Sequence, residues 1–309
     1  MSSFALRLIR FAFSSLERIS PEIAGQAAFH VFCFTPSRKP KGMKARDVFR
    51  RGRTRLQAAD CARLATKSGK VTSYRLPVLG TNLPSPKVLV VHGWGSRSEY
   101  LVDLACGLQE RGAEVVMLDL PGHGASSGRV LELRKAAEAI GVAEAHHGPF
   151  TAVVGHSFGG AAVTMAAGGI FGGIPQLKTR RLVVIGSPSN MSEVFNGFAR
   201  AVGLGPASVH AMNKRVLRLA GIPVEALDSV AVSRRIDPEL LVVHAEDDKE
   251  VPVAHAERFI GLSPKVQHVW ANGHGHRRIV SAPEVISAIA DFVGLSQEMD
   301  LPAAKVHRL

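Results

Sequence analysis

Three short stretches carry side chains that together could transfer an acyl group. Residues 151–160 read TAVVGHSFGG, an apolar run that ends in Gly-x-Ser-x-Gly around Ser157 and passes into the small-residue segment AAVTMAAGG. Residues 245–252 read AEDDKEVP and supply Asp247 and Asp248 just after the apolar run LLVVH. Residues 271–280 read ANGHGHRRIV and supply His274 and His276. A serine hydroxyl is a weak nucleophile at neutral pH; it needs a base within hydrogen-bond reach and a carboxylate to orient that base. Serine, acid and histidine, in that chain order, can meet the need. The residue types alone leave open which aspartate and which histidine take part.

The chain holds a second Gly-x-Ser-x-Gly, GASSG at 124–128, which follows the loop LPGHG and not a strand. A nucleophile of this kind belongs on a tight strand-to-helix turn, where glycines allow close backbone approach and the helix N-terminus favours negative charge. Ser126 lacks that context and reads as a turn residue.

Positioning such residues requires a rigid frame, and the pattern from residue 71 onward predicts one. Short β-branched runs at 71–76, 88–92, 115–119, 151–155, 182–186, 240–244 and 266–270 read as strands, most of them apolar throughout, as strands buried on both faces should be. Between them, 98–112, 130–147, the segment after Gly159, 255–262 and 283–293 carry apolar positions at helical spacing. The alternation predicts an α/β fold, doubly wound, with a mainly parallel sheet covered on both faces. Ligands in such sheets sit beyond the carboxyl ends of the strands, where Ser157, the aspartates and the histidines fall. After residue 188 no strand is expected until 240, so 189–238 reads as a helical cap inserted before the strand that carries the acid. Its apolar residues, among them Met191, Phe195, Phe198 and Met212, would line a substrate pocket or form the cap's own core.

These features together resemble the α/β-hydrolase family. The order of nucleophile, acid and histidine matches, HGWGS at 92–96 is similar to the family's first signature, and DLPGHGASSG is similar to its Asp-x-x-Gly-x-Gly-x-Ser segment. The resemblance spans about residues 71–293. It implies Ser157 as nucleophile, Asp248 as acid from the Asp-x-x-Val-Pro match through Val251 and Pro252, and His276 as base from Gly273, Gly275 and Val280. His274 and Asp247 are then loop neighbours, and Glu246 and Glu250 solvated charges. The backbone N–H groups of Trp94 and Phe158 would form an oxyanion hole, with His92 and Gly93 shaping that loop. Arg277 and Arg278 depart from the pattern: an inward Arg277 would oppose an imidazolium on its neighbour.

Composition sets the outer limits. The 309 residues are 46% hydrophobic, ample for a large core. Three scattered cysteines, Cys33, Cys61 and Cys106, suit a reducing compartment, and no metal-ligand cluster or phosphate loop implies a cofactor. No run of eighteen apolar residues is free of charge, and the opening MSSFALRLIRFAF lacks a cleavage site, so the expected location is cytoplasmic. The net charge of +12 lies entirely in residues 1–86, with 16 Lys+Arg against 4 Asp+Glu; the remainder holds 22 of each. We read residues 1–70 as a basic, mostly helical segment ahead of a hydrolase domain at 71–293, with 294–309 as a tail. The basic stretch 39–55 and the amphipathic FALRLIRFAF suit either a solvated helix docked by its apolar side or peripheral contact with an anionic membrane. Nucleic acid is not expected, because aromatic residues do not interleave with the charges.

The leading functional expectation is a serine hydrolase that cleaves a carboxylic ester through an acyl-enzyme. Acyl transfer, thioester or amide cleavage on the same residues, and a non-catalytic binding or membrane-associated protein, are the alternatives. A serine in place of an aspartate nucleophile disfavours dehalogenase and epoxide hydrolase chemistry.

Overall fold

The computed structural model describes residues 3–295 apart from Pro36, Lys41 and residues 81–84; of the tail, 296–309 lie outside the described residues. Along the chain come α1 (Ser3–Ile19), α2 (Pro21–Cys33), α3 (Met43–Leu56), β1 (Asp60–Thr66), β2 (Gly69–Leu76), β3 (Lys87–Val91) and α4 (Val102–Gln109). Then follow β4 (Glu114–Asp119), α5 (Leu133–His147), β5 (Ala152–His156), α6 (Phe158–Gly168) and β6 (Arg181–Ile185). The helices α7 (Met191–Val202), α8 (Pro206–Ala220) and α9 (Ser229–Ile236) fill the long gap before β7 (Glu239–His244). The chain closes with α10 (Ala254–Glu257), β8 (Val266–Trp270), α11 (Gly275–Arg278) and α12 (Pro283–Val293).

The strands form one sheet in the order β1-β2-β4-β3-β5-β6-β7-β8. Every pair from β4 to β8 is parallel, while β1 with β2 and β2 with β4 are antiparallel. In the central strands, alternate residues feed two cores. Val88 and Val90 of β3 pack with Leu104 of α4 and Ile289 of α12, while Leu89 and Val91 pack with Ile140 of α5 and Val163 of α6. That division follows from the two-residue period of a strand and explains why these runs are apolar at every position.

One strand is invisible to the hydrophobic pattern. The sequence reading begins its strands at residue 71, whereas Asp60–Thr66 forms β1 and pairs in full register with β2 across the Lys67–Ser68 turn. Of DCARLAT only Leu64 is buried, because an edge strand that overhangs the core needs a single inward side chain.

The helices before β1 are docked on the fold. The Thr35 N–H donates to Arg129 O and the Leu131 N–H to Cys33 O. On α1, Glu17 accepts from the Gly205 N–H and the Ser208 hydroxyl, occupying the free amide end of α8. The basic α3 lies so close to the loop before α4 that a side chain at Gly52 would meet Glu99 O at 2.1 Å. Arg55 of the same helix pairs with Asp103.

Candidate active site

β5 ends at His156, and the next residue turns sharply into α6. Ser157 sits at φ 55°, ψ −126°, one of two non-glycine residues with positive φ among the described residues. Such a conformation costs a few kcal/mol and persists only where the surroundings enforce it. Here they do: the Ser157 N–H donates to Ile185 O at 2.8 Å, and neighbouring backbones close in on both glycines of the motif. A Cβ at Gly155 would lie 2.5 Å from the Gly159 carbonyl, and one at Gly159 would lie 2.5 Å from Val91 O. The second motif behaves as a turn: the buried Ser126 hydroxyl donates to Asp119 O and accepts from the Thr72 N–H.

β7 and β8 bring the other two groups to Ser157. His276 Nδ1 is 2.7 Å from Asp248 Oδ2, and His276 Nε2 is 3.0 Å from Ser157 Oγ. The other carboxylate oxygen of Asp248 accepts the Glu250 and Val251 N–H groups at 2.7 and 2.9 Å. Burial opposes the charge on Asp248, but the hydrogen bonds from His276 and the two amides outweigh it and hold the carboxyl below its ordinary pKa. An ionised Asp248 can only accept, so His276 carries its proton on Nδ1 and presents a free lone pair on Nε2 to the serine hydroxyl. Gly186, at the end of β6 with φ 52°, faces this contact; a Cβ there would sit 3.3 Å from both Asp248 Oδ2 and His276 Nδ1.

The neighbouring candidates go elsewhere. Asp247 accepts the Gly273 N–H at 2.9 Å and so ties the histidine loop to the acid turn. His274 pairs with Glu284 on α12. Arg277 points outward, its side chain 82% exposed and bonded to Glu250 at 2.8 Å, which removes the opposing charge its sequence position raised. Glu250 is therefore a paired charge, not a merely solvated one, and its second oxygen lies 3.9 Å from His276 Nε2.

The HGWGS loop closes over the nucleophile. A Cβ at Gly93 would lie 2.7 Å from Ser157 Cβ, so only glycine lets the loop come this near. Neither the Trp94 nor the Phe158 N–H has a hydrogen-bond partner among the described residues.

Buried histidines anchor these loops; the sequence points to His92 in HGWGS, while His123, His156 and His244 carry no such signal. His92 Nδ1 donates to Gly93 O while its Nε2 accepts the Leu120 N–H. His123 Nε2 accepts the Gly95 N–H and its Nδ1 donates to Pro121 O, so the two rings grip the carbonyl before Trp94 and the amide after it. His156 Nε2 donates to His276 O, and His244 Nε2 donates to Val251 O at the end of the acid turn. Burial is the main cause that holds all four uncharged; His123 and His156 are pushed down to about 3. Only their place in the fold separates His123, His156 and His244 from the other histidines, although His123 lies inside the LPGHG loop.

A small apolar cavity of about 30 Å³ lies beyond Phe158, the residue that follows Ser157. Phe158 forms part of its wall, together with Phe171, Met191 and Phe195 and with Phe29, Phe32 and Cys33 of α2. Phe32 packs on Phe195 with ring centroids 4.5 Å apart. The cap alone does not line it: the N-terminal α2 supplies part of the wall, which no motif in residues 1–70 discloses.

Comparison with known proteins bears on the family and the fold. A family model described as the Alpha/beta hydrolase family matches residues 88–289. A monoacylglycerol lipase of Mycolicibacterium smegmatis is 31% identical over 192 residues, which is 58% of this chain and 62% of that protein's length. Among solved structures, ferulic acid-bound Est1E from Butyrivibrio proteoclasticus superposes with a TM-score of 0.58 at 20% identity, covering 75% of this chain and 97% of that one. A membrane phospholipase A superposes with a TM-score of 0.57 at 18% identity, covering 95% of this chain and 98% of that one, so the likeness in fold extends beyond the sheet into the N-terminal helices.

Proposed function

The chain belongs to the alpha/beta hydrolase family, and from that premise we propose that it is a serine hydrolase of carboxylic esters whose substrate carries one apolar chain. The observation that carries the reading is the continuous contact from Asp248 through His276 to Ser157, at 2.7 and 3.0 Å. The Ser157 hydroxyl attacks the ester carbonyl as His276 Nε2 takes its proton. Asp248 keeps the imidazole in the tautomer that can do so and stabilises the imidazolium. The charge that develops on the carbonyl oxygen is met by the N–H groups of Trp94 and Phe158, a pair of donors of which each is commonly worth 10²–10³-fold in turnover, about 3–4 kcal/mol. Collapse expels the alcohol, protonated by His276; water, activated by the same imidazole, then releases the acid from the acyl-enzyme.

The apolar lining by Phe158 and α2 supports a substrate with a hydrocarbon group; the cavity itself holds about 30 Å³, so a long chain is accommodated only where Phe29, Phe32 and Phe195 move apart. A monoacylglycerol, the substrate named for the Mycolicibacterium smegmatis relative, is of this class. The test is labelling with a fluorophosphonate probe, then a panel of p-nitrophenyl esters and 1-monoacylglycerols of increasing chain length. The expected result is an adduct on Ser157, turnover that favours longer chains, and loss of both adduct and turnover in Ser157→Ala with the fold retained. A folded wild-type protein that forms no adduct and cleaves no ester would sink the proposal and leave a binding protein on this fold.

A further inference from the structure

Helix α1 has two apolar faces, and the fold uses one. At 100° per residue, Leu6, Ile9, Phe13 and Leu16 share one side, where Phe13 is 6% exposed and Ile9 packs on the core. Leu8, Phe11 and Ile19 gather on another side with Ala12 and are 60%, 71% and 79% exposed. Arg7 and Arg18 fall along one edge of this outer stripe. Helical residues apolar on both sides are ordinarily buried on both sides, so among the described residues the outer stripe of α1 lacks a cover.

The charge around the stripe indicates what covers it. The packed layer formed by α1, α2, α7 and α8 carries seven Lys+Arg, namely Arg7, Arg10, Arg18, Arg200, Lys214, Arg215 and Arg218, against Glu17, Glu22 and Glu193. All three glutamates face partners, Glu17 the start of α8, Glu22 the guanidinium of Arg218, and Glu193 His255 at 3.9 Å. The layer is therefore apolar on the bare face of α1, bordered there by Arg7 and Arg18, and carries a net excess of cations. No helix among the described residues is long and apolar enough to cross a membrane. An amphipathic helix with arginines beside its apolar stripe lies in the plane of an anionic bilayer, its apolar side chains among the acyl chains and its cations at the headgroups.

We propose that the outer face of α1 seats the protein on an anionic lipid surface. The contact falls to α1 and not to the more basic α3, because α3 spends its inward face on the loop before α4 and the large apolar residue it leaves exposed is Met43 alone. Since α1 packs on α2, and α2 walls the cavity beyond Phe158, seating brings the cavity wall to the surface from which an amphiphilic ester would come. The lipid contact itself is independent of the catalytic reading.

The test uses the full chain and sedimentation with vesicles of phosphatidylcholine alone or mixed with phosphatidylglycerol, at low and high salt. Wild type should partition onto the mixed vesicles, and salt should weaken it. The Leu8→Ser, Phe11→Ser, Ile19→Ser triple variant should lose about tenfold or more in partition coefficient, and Arg7→Gln with Arg18→Gln about 25-fold. Both variants should keep the circular dichroism spectrum and the wild-type rate on a soluble short-chain ester. Equal sedimentation with neutral vesicles would overturn the proposal, as would unchanged binding by the triple variant. So would a wild-type dimer that the triple variant dissociates, since a second copy would then be the cover.

Discussion

Substituting Asp248 by Asn changes one atom, and the structure dictates that it is the wrong one. In the native turn Oδ1 accepts two amides, Glu250 N–H at 2.7 Å and Val251 N–H at 2.9 Å, while Oδ2 accepts His276 Nδ1 at 2.7 Å. An asparagine has one oxygen for these two duties. If the oxygen stays with the two amides, the NH2 group faces Nδ1, which must then accept; the proton moves to Nε2, and the lone pair that receives the Ser157 proton is gone. If the amide flips, its NH2 confronts two N–H donors in a buried site, which costs more than one lost hydrogen bond. The first arrangement wins, so the variant folds with the wrong tautomer. A base so misprotonated costs about 10⁴-fold in kcat, about 5.4 kcal/mol of barrier. The assay is kcat on p-nitrophenyl butyrate beside the urea midpoint. Asp247→Asn is the control: its Oδ1 accepts only the Gly273 N–H, a task an amide oxygen can keep, so kcat should stay within about threefold. If Asp248→Asn keeps kcat within tenfold of wild type, or Asp247→Asn is the dead variant, the reasoning about the acid is wrong.

Three further outcomes follow from burial. Phe195→Ala removes a ring that is 5% exposed and packs on Phe32 and Phe29; it should cost about 3–5 kcal/mol in urea unfolding and move the ester panel toward longer or bulkier chains. His123 and His156 stay uncharged down to about pH 3 in the folded protein but titrate at about 6.5 when unfolded. Below pH 6.5 the unfolded chain binds those protons and the native one does not, so stability is full above that pH. Each histidine should then remove about 1.4 kcal/mol per pH unit as the pH falls toward 3, readable as a slope in urea midpoints. The three cysteines are free, and Cys33 is buried with its thiol pushed up to about 12, so a thiol reagent should take Cys61 rapidly and reach Cys33 only on unfolding.

Legibility followed the strength of the local signal. The central strands were readable because both their faces are buried and their runs are unbroken. The edge strand β1 was not, because one buried leucine in seven residues makes no period. GHSFGG was readable as an elbow because a tight strand-to-helix turn demands glycine on both sides of the serine. Ser126 was separable from Ser157 by what precedes each motif. Among the histidines, spacing and resemblance singled out His276, but nothing local marks His156 or His244 as the rings that hold the histidine loop and the acid turn, since their partners lie on other segments.

By itself, then, the sequence determined the doubly wound frame, the elbow and the order in which candidate groups reach the strand ends, because hydrophobic period and glycine placement act over a few residues. Resemblance favoured Asp248 over Asp247, and the fold brings Asp248 to His276; tertiary structure alone decided that Arg277 turns outward to Glu250 and that the N-terminal α2 walls the cavity beyond Phe158. Each of these is a choice between partners far apart in the chain. It is settled by which donor and acceptor, or which two apolar faces, the packed sheet and its helices bring within reach.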